Sequence, residues 1–312
     1  MFDPSAPNNG SRTSVGRSST GSTAPRPDLQ KADYVCELLH RAAQCNLVMD
    51  KRRGAVVELP ARGRLVVSGD LHDNRLHFEK VKRVARLDES SEHYLILQEI
   101  IHGEQLINGM DFSYRMLCQA AELMLEFPGQ VFILPGNHEV AQMQGEGILK
   151  DAINVVEAFT DGIDYVFGND VDRVTDSIDR FIRSMPLAVR CANGVMCSHS
   201  LPSFSMRNKF DPSVMDRVPE PEDYERGGGS VHMLIWGRNL KQEYVDQLAN
   251  RWNARIFVLG HQPIEMGYEP REDTLIIVNS DHNHGVVLPF NLAQTYTRDE
   301  LIMNVVPLVG VQ

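Results

Sequence analysis

The stretch VFILPGNHE, residues 131–139, decides how this chain can be interpreted. Its apolar first half predicts a buried strand, and the following proline and glycine end that strand in a turn. Asn137 and His138 then come just past the carboxyl end of a strand, where open α/β sheets usually place their chemistry. An Asn oxygen suits a hard metal ion, and an imidazole can move protons near neutral pH. The stretch therefore predicts a site at the edge of a sheet.

Strands and helices alternate on the amino-terminal side of this stretch. Apolar runs predict strands over 64–67 and 94–97, and helical spacing predicts helices over about 76–87 and 107–126. Another helix is expected over about 29–49, with an Asp as its N-cap. Such alternation predicts a mainly parallel sheet built from right-handed βαβ units.

The second half of the chain is richer in predicted strands. After a segment at 148–184 that we interpret as mostly helical, short apolar runs predict strands at 187–190, 195–197, 256–259, 275–278, 286–288 and 302–306. Two packed sheets with helices outside would accommodate both halves, so we expect an α/β fold.

Composition narrows the class of protein. Lys and Arg number 31 and Asp and Glu number 42, so the formal charge is −11, which disfavours a nucleic-acid partner. No apolar run approaches the roughly 20 residues that span a bilayer, so we expect no membrane partner. The five cysteines form no CxxC pair, and we expect reduced thiols. The amino terminus lacks the apolar core of a secretory signal, and we expect a cytoplasmic protein.

The first 27 residues differ from the rest. They are rich in Ser, Pro, Gly, Thr and Asn, and we predict a disordered tail over 1–27. Because no convincing linker follows, we expect a single domain over 29–312.

Further acids and histidines follow other predicted strands. Asp70 and His72 come after the first strand, and Glu99 comes after the second. His199 and His261 each come directly after an apolar run in the second half. Taken singly, each could be an ordinary turn residue or a hydrogen-bonded structural histidine. Their repeated position after a strand favours a shared metal site.

The order of these motifs resembles a known family. GDLHDN at 69–74, a variant motif at 98–103, GNHE at 136–139, SHS at 198–200 and GHQP at 260–263 resemble the calcineurin-like metallophosphoesterase superfamily. The resemblance is to its phosphoprotein-phosphatase branch and to related bacterial phosphatases and diadenosine tetraphosphatases, over about residues 62–290. It implies a metallophosphoesterase domain that is a four-layer α/β/β/α sandwich of two mixed β-sheets flanked by helices.

The resemblance also implies roles for individual residues. It implies a dinuclear metal centre with six ligands: Asp70, His72, Glu99, Asn137, His199 and His261. Glu99 takes the place of the Asp that bridges both metals, and His138 would be the catalytic proton donor. Arg238, which shortly follows a Trp, resembles the family's phosphate-binding arginine. An exposed arginine at a helix start is the alternative interpretation of Arg238.

Two sequence features qualify the expected activity. Nuclease-like branches typically carry a second His two residues after the first, whereas Gln262 and Pro263 follow His261 here, which favours phosphomonoesters. The second motif, usually GD-x-x-DRG, is QEIIHG here, so the bridging Asp, the phosphate-binding Arg and the Asp that orients the catalytic His are all replaced. His102 stands where that orienting Asp would be. A neutral imidazole cannot give the electrostatic support of a carboxylate.

We therefore expect a metallophosphatase, a dinuclear metal-dependent hydrolase of phosphomonoesters. Its cofactors would be two divalent metal ions, with Mn, Fe, Zn and Ni all compatible with mixed oxygen and nitrogen ligands. Phosphoserine and phosphothreonine in proteins form one substrate class, and small metabolites or nucleotides form the alternative. An acidic loop at 201–230 is expected to cap the site. The rival hypothesis is a non-catalytic binding scaffold with the same fold.

Overall fold

We describe a computed structural model of the chain in which residues 28–150 and 152–312 are placed. The tail predicted over 1–27 lies outside the described residues. The helices are α1 Ala32–Val48, α2 Arg75–Ala85, α3 Tyr114–Glu126, α4 Asn137–Gln144, α5 Val155–Phe167, α6 Val171–Ser184, α7 Ser230–Ile235, α8 Gln242–Trp252 and α9 Arg298–Ile302. None of the helices in the described part of the chain combines the length with the apolar composition that a transmembrane helix requires.

The strands form two large mixed sheets and one hairpin. The strands are β1 Arg52–Arg53, β2 Val56–Leu59, β3 Arg64–Asp70, β4 His93–Gln98, β5 Val131–Leu134, β6 Leu149–Lys150, β7 Ile153–Asn154, β8 Ala188–Cys191, β9 Val195–Ser198, β10 Ile256–Leu259, β11 Tyr268–Arg271, β12 Leu275–Val278, β13 Val286–Asn291 and β14 Val306–Pro307. One sheet has the order β14-β13-β3-β4-β5, and the other has the order β1-β2-β8-β9-β10-β12-β11. β6 and β7 pair only with each other among the described strands.

Alternation along the strands explains why the sheets stack. In β3, Leu65 and Val67 belong to an apolar cluster shared with the other sheet, whereas Val66 belongs to the cluster that includes the helices. Phe257 and Val258 of β10 divide between the two clusters in the same way. Because successive strand side chains point to opposite faces, each sheet buries one face against the other sheet and one against helices. The predicted fold of two mixed sheets flanked by helices is confirmed.

Two predicted helices begin later than expected. The helix expected over 107–126 begins at Tyr114, because Asn108 and Gly109 adopt positive φ angles and form a turn. The first helix begins at Ala32 rather than 29, and its N-cap is Lys31 rather than Asp28.

Two strand and helix assignments also differ from the sequence prediction. The segment expected to be helical from residue 148 begins with the β6–β7 hairpin, and its helices run from Val155 to Ser184. In the segment 302–306, which was expected to be a strand, Ile302 ends α9, residues 303–305 lie outside helix and strand, and only Val306 belongs to a strand, β14. The Thr297 side chain accepts a hydrogen bond from the backbone N–H of Glu300 and thereby caps that helix.

Candidate metal centre

The predicted site residues lie at the carboxyl ends of strands from both sheets. In the five-stranded sheet, β3, β4 and β5 run parallel and lead into Asp70, Glu99 and Asn137. In the seven-stranded sheet, β9 and β10 run parallel and lead into His199 and His261. Because the carboxyl ends of parallel strands share an edge, each sheet delivers its polar residues to one place.

The two sheets come into direct contact at this edge. Asp70 forms an isolated parallel bridge with Asn279, which follows β12. The backbone N–H of Gly69 donates to the Ser280 hydroxyl over 2.9 Å. A Cβ atom at Gly69 would lie 2.0 Å from the carbonyl oxygen of Val278, so a larger residue would force the sheets apart. The absence of a side chain at Gly69 therefore lets Asp70 reach the residues of the other sheet.

Acidic and imidazole groups gather around Glu99. Its Oε2 lies 3.7 Å from Nε2 of His72 and 3.6 Å from Nε2 of His199. Nδ1 of His199 lies 3.6 Å from Oδ1 of Asp70. These separations are too long for hydrogen bonds. Two ligands of one ion, each about 2.0–2.2 Å from it, lie roughly 3–3.5 Å apart, so the spacing fits shared coordination.

Two overlapping sets of ligand atoms result. His72, Glu99 and His138 form one set of close ligand atoms, and Asp70, Glu99 and His199 form the other. Glu99 belongs to both sets. Its carboxylate would therefore be available to cations held by either set, although His138 of the first set is the predicted proton donor rather than a predicted ligand.

Asn137, His199 and His261 form the remaining part of the cluster. The Asn137 side-chain oxygen lies 2.6 Å from Nδ1 of His261 and 3.2 Å from Nε2 of His199. The backbone N–H of His261 donates to Oδ1 of Asp70 over 3.1 Å. Nε2 of His261 and Nδ1 of His199 are buried and have no hydrogen-bond partner among the described residues. Buried nitrogens without partners are costly, and a cation would satisfy them.

The pKa shifts in the cluster favour neutral side chains until a cation is present. Burial raises the pKa of Asp70 to about 7. Burial and the neighbouring carboxyls of Asp70 and Glu139 raise the pKa of Glu99 well above its usual range. Burial lowers the pKa values of His72 and His261 to about 3, which leaves both imidazoles neutral and able to ligate a metal. The donor set of carboxylates, neutral imidazoles and an amide oxygen thus fits divalent ions.

Left-handed backbone conformations accumulate at the same place. His72, Glu99 and His261 have φ angles of 43°, 42° and 68°, and His102 has a φ angle of 62°. Such angles are uncommon for residues other than glycine and are often concentrated at functional sites. His72, Glu99 and His261 lie one or two residues past the ends of β3, β4 and β10, so these conformations occur where the chain leaves the strands.

Glu139, the last residue of the GNHE motif, has a structural task. One of its oxygens accepts from the backbone N–H groups of Ile100 and Ile101 over 2.7 and 3.1 Å, and the other accepts from Gly136 over 2.9 Å. The carboxylate therefore ties the loop after β4 to the loop after β5. This connection fixes the position of Glu99 relative to Asn137.

His138 is held by a chain of hydrogen bonds whose direction can be deduced. The Thr160 hydroxyl donates to the carbonyl of Val156, so it accepts from Nε2 of Gln142. The oxygen of Gln142 then faces Nε2 of His102 over 2.9 Å, and this ring nitrogen must be the donor. Nδ1 of His102 is left as the acceptor.

The same chain fixes the tautomer of His138. Its Nδ1 lies 3.0 Å from Nδ1 of His102 and donates to it. A neutral His138 therefore carries its proton on Nδ1, and its Nε2 is unprotonated. Burial and the nearby His72 and His102 lower the pKa of His138 well below its usual range.

A cavity of 350 Å³ opens beside the cluster. Its wall includes five of the six predicted ligands, His138, and the predicted phosphate-binding Arg238. The sixth predicted ligand, His199, lies within the cluster but is not part of the wall. Arg238 is exposed and follows α7, and its backbone N–H donates to the Ser203 hydroxyl over 3.0 Å.

Several residues of this wall were missed by the sequence prediction. Lys150, Glu104, Asn279 and Asp281 line the cavity, although none belongs to a motif quoted above. Asn279 and Asp281 follow β12, so the strand-end pattern could have indicated them. Lys150 had no such signal, because residue 148 onward was expected to be helical. No residue of 201–230 is part of this wall, and the expectation that this loop caps the cavity stays a prediction.

The sequence of residues 63–288 matches the family described as calcineurin-like phosphoesterase. This match covers more than half of the chain. The chain belongs to the calcineurin-like phosphoesterase family. It is therefore a metal-dependent phosphoric-ester hydrolase. No curated protein matches the chain significantly.

Solved structures with the same fold include two phosphatases. A Saccharomyces cerevisiae protein serine/threonine phosphatase with similarity to human phosphatase PP5 is 17% identical, with a TM-score of 0.63, over 89% of this chain and 93% of that chain. A cold-active protein-tyrosine phosphatase of a psychrophilic Shewanella species is 15% identical, with a TM-score of 0.53, over 80% of each chain. At these identities the similarity supports the fold alone.

Within the calcineurin-like phosphoesterase family, the second motif of this chain has an altered geometry. Gly103 stands where the motif usually has Arg, and a Cβ atom there would lie 2.7 Å from Cβ of Asp73. The backbone of this loop therefore leaves no room for a side chain at 103. Any positive charge contributed by the protein at this side of the cavity has to come from another segment.

Proposed function

We propose that the protein is a dinuclear metal-dependent phosphatase that hydrolyses phosphomonoesters, with phosphoserine and phosphothreonine of proteins as its substrate class. The observation that supports this proposal most is the convergence of six potential ligands in one cluster, beside a cavity whose wall also includes His138 and Arg238. The residues after His261 support a monoester, because Gln262 and Pro263 supply no second imidazole there.

In the proposed centre the ligands divide between two ions. Asp70, His72 and Glu99 would hold the first ion. Glu99 would also hold the second, together with Asn137, His199 and His261. When bound, divalent cations supply positive charge that activates water and neutralises phosphate oxygens. Mn²⁺ is the ion we would test first among Mn, Fe, Zn and Ni.

The protein's own groups orient the phosphate and move the proton. The guanidinium of Arg238 can bind two phosphate oxygens at once, and the amide of Asn137 can bind a third. His138 is the proposed proton donor to the leaving group. Because its Nδ1 proton is engaged by His102, the proton that it transfers must be carried on Nε2.

The proposal is tested by measuring metal content and turnover in the same preparations. The purified chain would be assayed with Mn²⁺ against an aryl phosphate, phosphoserine, phosphothreonine and phosphotyrosine peptides, and nucleotides. Phosphotyrosine is included because one structural neighbour is named a protein-tyrosine phosphatase. We expect bound metal and turnover of the phosphoserine and phosphothreonine peptides. Turnover of nucleotides alone would support the alternative substrate class, and a chain without metal or turnover would contradict the proposal.

The role of His138 has its own prediction. His138→Ala should leave metal content unchanged and lower kcat about 10²–10⁴-fold, which is the usual contribution of a positioned proton donor. The matched control is His40→Ala, since His40 is an exposed histidine of α1. Unchanged kcat in His138→Ala would show that another group donates the proton.

A further inference from the structure

Lys150 is a charged residue of the cavity wall that the proposed mechanism does not use. It lies on β6, whose other residue, Leu149, is 76% exposed. The side chain of Lys150 is 31% exposed and lines the cavity together with the predicted ligands. Because neighbouring strand residues point to opposite faces, the hairpin turns Leu149 outward and Lys150 toward the cavity.

The wall of the cavity has more acidic than basic side chains. Four acidic side chains line the cavity: Asp70, Glu99, Glu104 and Asp281. Among the described residues of the wall, Lys150 and Arg238 are the two with a Lys or Arg side chain. A phosphomonoester that approaches the cluster meets Glu104 and Asp281 as well, and a protein cation on the same wall would offset their repulsion.

The ammonium of Lys150 is weakly engaged in the structure. Its Nζ lies 3.6 Å from Oε1 of Glu104, which is too long for a hydrogen bond. The Glu104 side chain is 78% exposed, and ion pairs this exposed contribute little to stability. An anion in the cavity can therefore compete successfully for the ammonium.

The positive charge of Lys150 disfavours the protonated forms of histidines in the cluster. Burial is the largest cause of the lowered pKa of His72, and the positive charge of Lys150 is the second largest. It also contributes, after burial and neighbouring histidines, to the lowered pKa of His138. The opposite loop cannot supply an equivalent charge at 103, because Gly103 has no room for a Cβ atom.

We infer that Lys150, carried by the β6–β7 hairpin, binds the phosphate group of the substrate. This inference rests on the proposed function, because it names a second protein cation for the same phosphate. A flexible lysine delivers a point charge that can follow the phosphate as it moves from substrate to product.

The test is calorimetric titration of the Mn²⁺-loaded protein with inorganic phosphate, alongside metal analysis. Lys150→Met keeps the aliphatic stem and removes the charge, and it should weaken phosphate binding about tenfold or more while metal content stays unchanged. Lys150→Arg should restore the affinity to within about threefold of wild type. Glu104→Gln should strengthen binding, because it removes a negative charge from the wall.

The controls separate this inference from a structural role and from the proposed function. Lys209→Ala, at an exposed lysine outside the cavity wall, should bind phosphate as wild type does. If Lys150 served only to pair with Glu104, Glu104→Gln would weaken binding as Lys150→Met does, which would overturn the inference. Equal phosphate affinity in Lys150→Met and wild type, or no phosphate binding by wild type, would also overturn it. A wild type that binds phosphate without turnover would contradict the proposed function while leaving this comparison intact.

Discussion

His102 is the residue that most alters the chemistry expected of the site. It orients His138 through a hydrogen bond between their Nδ1 atoms, but burial lowers the pKa of His102 to about 4, so it is neutral. A neutral imidazole offers no negative charge to stabilise a protonated His138. Proton donation is therefore less well supported than it would be with a carboxylate at this position.

This leads to a prediction about leaving groups. In His102→Asp, a carboxylate would accept from Nδ1 of His138 and support its protonated form, and Asp tolerates the positive φ at this position. We expect kcat for a phosphoserine peptide to rise about tenfold relative to kcat for p-nitrophenyl phosphate, whose leaving group needs little protonation. His102→Asn is the size-matched control. The same ratio of rates in the Asp and Asn variants would contradict this account of His102.

At the residue scale, the sequence could predict positions that repeat one pattern. Asp70, Glu99 and His261 were found because each follows an apolar strand, and the structure brings them together. Gln142 and Thr160, which set the tautomer of His138, could not be found, because their contacts depend on how α4 packs near α5. Lys150 was missed for a similar reason, since a two-residue strand leaves almost no periodicity.

At the element scale, the site depends on how closely the strand ends approach. Gly260 follows β10, and a Cβ atom there would lie 2.4 Å from Oδ1 of Asp70, which ends β3 of the other sheet. To avoid this clash the Asp70 carboxylate would have to leave its present position, which is 3.6 Å from Nδ1 of His199. The glycine in the GHQP motif thus has a steric role in addition to forming a turn.

We therefore predict that Gly260→Ala lowers metal affinity. The added methyl group displaces Asp70, and we expect bound metal to fall by about half or more while the fold is retained. Gly228→Ala is the matched control, since nothing lies within 4 Å of a Cβ at Gly228. Metal analysis after desalting and circular dichroism would make the comparison. Full metal content in Gly260→Ala would show that Asp70 is not needed at this position.

Strands made of a continuous apolar run were predicted well, whereas two-residue strands and the helix that begins at a capping box were not. Residues 131–134 and 256–259 are strands as expected, because continuous apolar runs bounded by turn residues have few alternatives. The strand expected over 302–306 was misassigned at its start, because Ile302 ends a helix that begins at the capping box of Thr297 and Glu300, which apolar periodicity does not reveal. β1 consists of two arginines and is a strand because it pairs with β2, which its own sequence does not reveal.

At the scale of the whole molecule, the centre exists because two sheets meet at one edge. Ligands from residues 70 to 137 come from one sheet, and those at 199 and 261 come from the other. The stacking buries several carboxyls and imidazoles together, and burial shifts the pKa values of both groups toward their neutral forms. Burying these groups is unfavourable without a compensating cation, so metal binding should be coupled to the integrity of the stack.

Metal content of wild type and Glu99→Gln is the measurement that tests the centre most directly. Each protein would be loaded with Mn²⁺, desalted and analysed, with Glu157→Gln as the control at an exposed glutamate. Because Glu99 belongs to both groups of ligand atoms, we predict about two ions per chain in wild type and in the control, and about one or none in Glu99→Gln. A wild type that binds no metal, or a Glu99→Gln variant with full metal content, would contradict the account.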